Sequence, residues 1–140
     1  MNSRLNDTQI ATLLGEAKII AVVGLSSNPM RPSFGVSEYL QDHGYRIIPV
    51  NPRETEVLGE KCYGSLLEVP EPVDVVDIFR RSDSVPEVVD EAIQKGTHCI
   101  WMQEGVVHED AAAKAEAAGI PVVMDLCILK EHRRLTRRPG

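Results

Sequence analysis

Cysteine is scarce in this chain, and the three present, Cys62, Cys99 and Cys127, are far apart and form no C-x-x-C pair. That pattern gives no zinc site and fits a reducing cytosol. No apolar run approaches the ~18 residues of a membrane span, and the N-terminus has no basic head followed by an apolar core. The expectation is a soluble, cytoplasmic chain with no membrane partner. A basic surplus is missing too: 15 Lys and Arg stand against 21 Asp and Glu, a formal net charge of -6. Phosphate-backbone binding runs on a basic surface, so nucleic acid is not expected as the main partner.

The signatures of several enzyme classes are also absent. There is no G-x-G-x-x-G and no G-x-x-x-x-G-K-S/T, so neither the dinucleotide fingerprint nor the nucleoside-triphosphate loop is present. There is no H-E-x-x-H and no G-x-S-x-G, and His43, His98, His108 and His132 read as structural or solvated. Asp74 and Asp77 suggest a carboxylate pair, but at a spacing of three they fall on opposite faces of a strand. The sequence therefore offers no complete catalytic constellation and no metal site.

What is there is organised around Ile19 to Gly35, IIAVVGLSSNPMRPSFG. Five apolar residues, a glycine, a polar loop and a helix start place backbone N–H groups at the carboxyl end of a first strand, beside a helix N-terminus. Such a place binds phosphate. Ser26, Ser27, Asn28 and Ser33 can donate hydrogen bonds there, and Arg31 adds a fork-shaped charge.

At 140 residues the chain has the size of one domain, and its apolar periodicity sets out the elements in order. Asn6 caps a first helix with Gln9 three residues on, within the segment 1–18 expected to pack on the sheet. Ser33 reads as the N-cap of the next helix, with Gly44 at its end. Tyr45 to Val50 is the second strand and ends in Asn51-Pro52-Arg53, where an NAD site would need an acid. Residues 54–64 read as an excursion and 65–69 as a single helical turn. Val73 to Phe79 is the third strand, followed by Arg80 and Arg81. Ser84-x-x-Glu87 reads as a capping box on a helix with Val85, Val88, Val89, Ala92 and Ile93 on one face. His98 to Met102 is the fourth strand, with Trp101 assigned to the core, and it runs into Gln103-Glu104-Gly105. An alanine-rich helix and a last strand, Pro121 to Met124, precede Asp125-Leu126-Cys127 and a basic terminal helix. Lys130, Arg133, Arg134, Arg137 and Arg138 hold five of the fifteen basic residues, and 133–140 reads as a frayed tail. A clamp on a polyanion is the alternative reading of that tail.

Five short apolar strands alternating with helices predict an α/β fold, an open, doubly wound parallel sheet in three αβα layers. The order expected for the five strands is 3-2-1-4-5. It puts the switch point between strands one and four, with residues 24–31 facing 103–105 across a crevice where ligands bind.

The succession VGLSSNPMRPS, PVNP, DIFR, WMQEGV and VMDLCILKEH resembles the stand-alone coenzyme A-binding proteins of bacteria and archaea. These are similar in turn to the N-terminal domain of the succinyl-CoA synthetase alpha subunit. The resemblance covers about Ile19 to His132 and implies a Rossmann-like domain holding coenzyme A across its carboxyl rim. By position it implies that Gly24, Leu25, Ser26 and Ser27 cradle the pyrophosphate with Arg31 nearby, and that Asn51, Pro52 and Arg53 reach the ribose and adenine. It implies that Phe79 and Arg80 flank the nucleotide, that Gln103, Glu104 and Gly105 form a further rim loop, and that Cys127 lies near the thiol end. Two positions depart from the pattern. Glu54 takes the place of a lysine, and an acid there repels phosphate; Leu126 stands where many relatives look basic. The synthetase's phosphohistidine domain and nucleotide-grasping subunit have no counterpart in the sequence.

The reading that results is a coenzyme A or acyl-CoA binding module without its own catalytic centre, with a protein partner or self-association open. One alternative is an NAD(P)-dependent enzyme or redox sensor on the same fold. Another is a thiol protein in which Cys127 exchanges with the ligand.

Overall fold

Short apolar strands need cover on both faces, and the helices between them supply it. In the computed structural model, described over residues 4–136, the chain runs α1 (Asp7–Glu16), β1 (Ile19–Val23), α2 (Pro32–Asp42), β2 (Arg46–Val50), β3 (Glu56–Val57) and β4 (Glu60–Lys61). It continues through a 3-10 turn (Leu66–Glu68), β5 (Val75–Ile78), a second such turn (Ser82–Ser84), α3 (Val85–Lys95), β6 (Cys99–Met102), α4 (Glu109–Ala117), β7 (Val122–Val123) and α5 (Ile128–Thr136). Among these residues no helix is long and apolar enough to cross a membrane.

Strands β2-β1-β5-β6-β7 form one five-stranded sheet in which every pairing is parallel. Alternation along the strands splits the core into two layers. Ala21, Val23, Val76, Ile78, Ile100 and Met102 face α3 and α4, meeting Val85, Val89, Ala112 and Ala115. Ile20, Val22, Val75, Cys99 and Trp101 face α1, α2 and α5, meeting Leu14, Leu40 and Ile128. The three-layer αβα architecture and the core position of Trp101 are as the sequence predicts.

The strand order differs from the expected 3-2-1-4-5. Counted on the same five strands it is 2-1-3-4-5, with β5 paired to β1 from Ile20↔Val75 to Val23↔Ile78. The reason is visible at Pro49. Arg46 N–H donates to Lys18 and Val50 C=O accepts from Gly24, so the alternate residue Pro49 turns its backbone away from β1. Proline has no N–H for a second neighbour there, which makes β2 an edge strand. Its outer side is instead met by Tyr63, whose N–H donates to Pro49 C=O and whose C=O accepts from Asn51 N–H. The β3–β4 hairpin lies in this excursion and turns at Leu58 and Gly59.

Local signals met different fates. The Asn6–Gln9 capping box forms, with bonds of 2.8 and 2.9 Å. The Ser84–Glu87 box does not: Ser84 ends a 3-10 turn in helical conformation, and its side chain makes no cap bond. Ser33 lies inside α2, behind Arg31 and Pro32. Residues 133–136, expected to fray, continue α5, and Arg134 clasps Asp7 with bonds of 2.9 and 2.8 Å; Arg137 and Arg138 lie outside the described residues.

At the centre of the sheet Asp77 is fully buried between Val22 and Trp101, with neither carboxylate oxygen bonded. Burial pushes its carboxyl well above the usual range and, with that carboxyl nearby, lifts the buried Cys99 thiol to about 12.

Gly24 closes β1 with φ +93°, and a Cβ there would lie 2.4 Å from the Phe79 carbonyl oxygen. Gly24→Ala therefore combines left-handed strain with a backbone clash and is expected to cost more than about 2 kcal/mol, read as a lower urea midpoint. Gly15→Ala, in open space on α1, is the control, expected to stabilise by up to about 1 kcal/mol.

Candidate functional site

The true order moves the switch point. It lies between β1 and β5, so the loop after β1 leads to α2 on one face while the segment after β5 leads to α3 on the other. Gly24 thus lies against the backbone of Phe79 and the side chain of Arg80. Phe79 N–H donates to Val23 and Gly24 N–H to Val50, both at 2.8 Å, which holds the three strand ends level.

A cleft of about 380 Å³ opens at this rim, lined by Phe79, Arg80, Gln103, Glu104 and Cys127 of the predicted site and by Pro32, Val36, Arg81 and Val106. Arg81 stands beside Arg80 at the end of the third strand, where the sequence leaves ligand contact open; Pro32, Val36 and Val106 escaped sequence reasoning as site residues. Cys127 is largely buried against the cleft. A second cleft of about 390 Å³ lies at the amino ends of β5 and β6, between α1 and the Asp74–His98 pair. Asp74 is occupied there: burial favours its neutral form, but N–H bonds from Ile19 and Lys18 and the His98 contact outweigh that and hold it below the usual range.

The loop after β1 is not the set of free N–H groups expected. Ser26 N–H donates to the Ser33 hydroxyl, Ser27 N–H to Glu54 Oε2, Asn28 N–H to the Ser26 hydroxyl and Met30 N–H to Asn28 Oδ1. Leu25 turns its side chain wholly into the core. Asn51 spends both ends of its amide on structure, donating from Nδ2 to Leu25 C=O and accepting Arg53 N–H at Oδ1. Pro52 and Arg53 are exposed.

The other half of the rim is interlocked. Gln103 is buried, and its Oε1 accepts Ile128 N–H at the start of α5; Asp125 Oδ1 accepts Gly105 N–H at 2.7 Å. Asp125 holds φ +63° in doing so. Lys130 pairs with Glu104, and the Ser82 hydroxyl accepts Val107 N–H. Arg31, Arg53 and Arg80 differ from these: they make no ion pair among the described residues, whereas Arg4, Arg46 and Arg134 all do. Three cations thus stand at the rim without an ion-pair partner among the described residues.

Cys127 precedes α5, and α5 is seated by an aromatic cluster. Tyr39 stacks on His43 with ring centroids 4.0 Å apart, and its hydroxyl lies 2.7 Å from His132 Nδ1. Tyr45 meets His132 edge-on. Burial first, and then the neighbouring His43, hold the His132 imidazole below its usual range.

The sequence pattern of the CoA binding domain matches residues 18–133. The chain is similar to the YneT protein of Bacillus subtilis (strain 168), 45% identical over 124 residues that cover 89% of this chain and 92% of that one. A solved hypothetical protein from Pyrococcus horikoshii OT3 superimposes with a TM-score of 0.93 at 41% identity, covering 95% of this chain and 94% of that one. The ADP-forming acetate–CoA ligase II of Archaeoglobus fulgidus (strain ATCC 49558 / DSM 4304 / JCM 9628 / NBRC 100126 / VC-16) is 40% identical over 81 residues, 56% of this chain and 12% of the ligase.

Because the His132 imidazole resists protonation when folded, the unfolded chain takes up the proton first as pH falls below about 6.5, and stability falls with it. His132→Gln removes that dependence. Urea midpoints between pH 7 and pH 5 are expected to drop more for the parent than for the variant.

Proposed function

The chain belongs to the CoA binding domain family, and from that premise we propose that it holds coenzyme A, or an acyl-CoA, across the carboxyl rim as a binding module with no catalytic centre of its own. The observation that carries this reading is the pairing of two unlike features at one rim. Arg31, Arg53 and Arg80 supply positive charge without ion-pair partners, and beside them the cleft lined by Phe79, Val36 and Val106 runs to the Cys127 thiol. A ligand that is anionic at one end and carries a long, weakly polar arm ending in sulfur suits both.

In this reading Gly24, Leu25, Ser26 and Ser27 border the pyrophosphate, Leu25 through its backbone alone, and Arg31 and Arg80 bind its charge. Asn51, Pro52 and Arg53 border the adenosine end, with Arg53 as the cation for a ribose phosphate. Phe79 flanks the ligand, and Gln103, Glu104, Gly105 and Cys127 border the arm. The NAD(P) alternative gains no support from the end of β2, where the Asn51 amide is consumed by Leu25 and Arg53.

Titration calorimetry with coenzyme A, acetyl-CoA, pantetheine, NADH and NADPH tests the proposal. Coenzyme A is expected to bind, and Arg31→Ala or Arg80→Ala is expected to weaken it about tenfold while leaving pantetheine unchanged, the loss of one charge-assisted hydrogen bond. Binding of NADPH with none of coenzyme A overturns it.

The place of Cys127 on the cleft favours a second activity of the same site. A Cys127 thiolate attacking coenzyme A disulfide forms a protein–CoA mixed disulfide and releases one coenzyme A thiolate. Intact-mass measurement after incubation with coenzyme A disulfide is expected to show the adduct on the parent and none on Cys127→Ser.

A further inference from the structure

Among the groups that meet the loop after β1, one is of a different kind. Gly24, Ser26, Asn28, Met30 and Arg31 give their N–H groups to backbone carbonyls, hydroxyls or an amide oxygen. Ser27 gives its N–H to a carboxylate, Glu54 Oε2, at 2.8 Å and across 27 positions of sequence. Glu54 has no ion pair among the described residues, and neither has its neighbour Arg53. The carboxylate is therefore not neutralised by a side chain. It sits on a backbone N–H of a loop that follows a strand and leads into a helix, which is the seat a phosphate oxygen takes in such folds.

We propose that Glu54 is an internal competitor for this seat, a residue that sets specificity by holding down affinity for ligands with a phosphate at Ser27. The inference rests on the rim being the coenzyme A site, which it deepens by assigning Glu54 a role opposed to binding. One N–H does not serve two anions at bonding distance, and two anions at that distance repel. A phosphate arriving at Ser27 has to break the Glu54 bond and return the carboxylate to water. A ligand without phosphate meets no such cost. Glu54 thus gives Ser27 N–H an acceptor from the chain itself, and the site fills where the ligand's remaining contacts outweigh the displaced carboxylate.

The test is calorimetry on the full chain with three probes, coenzyme A, inorganic pyrophosphate and pantetheine, for the parent, Glu54→Gln and Glu54→Ala. Glutamine keeps an acceptor for Ser27 N–H and the loop's shape while removing the charge; thermal melts establish that each variant is folded. Both variants are expected to bind coenzyme A and pyrophosphate about tenfold tighter than the parent, with pantetheine unchanged. If Glu54→Ala does not fold, Glu54→Gln decides alone. Equal or weaker binding of both anions by the variants overturns the proposal, and so does the absence of any binding of either anion. If coenzyme A binds all three proteins equally, the coenzyme A reading stands and the competitor role falls. Tighter pyrophosphate binding in the variants with no coenzyme A binding in any of them leaves the competitor role standing and removes the coenzyme A reading.

Discussion

No side chain fits between Gly24 and the carbonyl of Phe79, and the rim takes its shape from that contact. The two strand ends meet closely enough that β1 and β5 share a full parallel ladder, from Ile20↔Val75 to Val23↔Ile78. Their following segments then part to opposite faces of the sheet. The opening between them is a consequence of connectivity, and a ligand entering it touches loops from both layers at once. A backbone that approached less closely would leave β1 without its second neighbour and the crevice without its floor.

Around that contact the rim is built in two halves. On the side of β6 and β7 the loops are fastened to one another by side chains: Gln103 Oε1 accepts Ile128 N–H, the Asp125 carboxylate accepts Gly105 N–H, and Trp101 Nε1–H donates to Leu126 C=O at 2.7 Å. These bonds fix the start of α5, and with it Cys127, while His132 and Tyr39 fix its middle. On the side of β1 and β2 the fastening runs through Asn51 and Glu54. Only the second of these is charged. Each half is thus held by one carboxylate on a backbone N–H, Asp125 on Gly105 and Glu54 on Ser27, and the second lies in the half that carries Arg31 and Arg53.

Much of this was legible in the sequence because it is local. Short, mainly apolar runs marked the five strands, Asn6 and Gln9 marked a helix start, and the fivefold succession of rim segments marked the family. The strand order was not, because it depends on which edge of β2 is free, and the decisive signal, the missing N–H of Pro49, acts only once a neighbour is proposed. Ser84 looked like a cap by spacing, but the preceding 3-10 turn puts its backbone in helical conformation and removes the geometry a cap needs. Ser33 looked like a cap too; Pro32 starts the helix one residue earlier, and the Ser33 hydroxyl serves Ser26 instead. Of the site, Phe79, Arg80, Gln103, Glu104 and Cys127 do line one cleft. Val36 and Val106 carry no polar signal that separates a cleft wall from ordinary core. The burial of Asp77 was equally hidden, since alternation assigns a face to a residue without saying what covers it.

The clasp between Arg134 and Asp7 ties the last described helix to the first at 2.8 Å, so α1 and α5 meet. Joining them closes only a short loop, at small entropic cost, and breaks no pairing in the sheet. The exposed turn at Gly59, which carries no strand of the parallel sheet, then offers a place for new ends. In topological terms the domain is close to a ring, cut where the cut disturbs least.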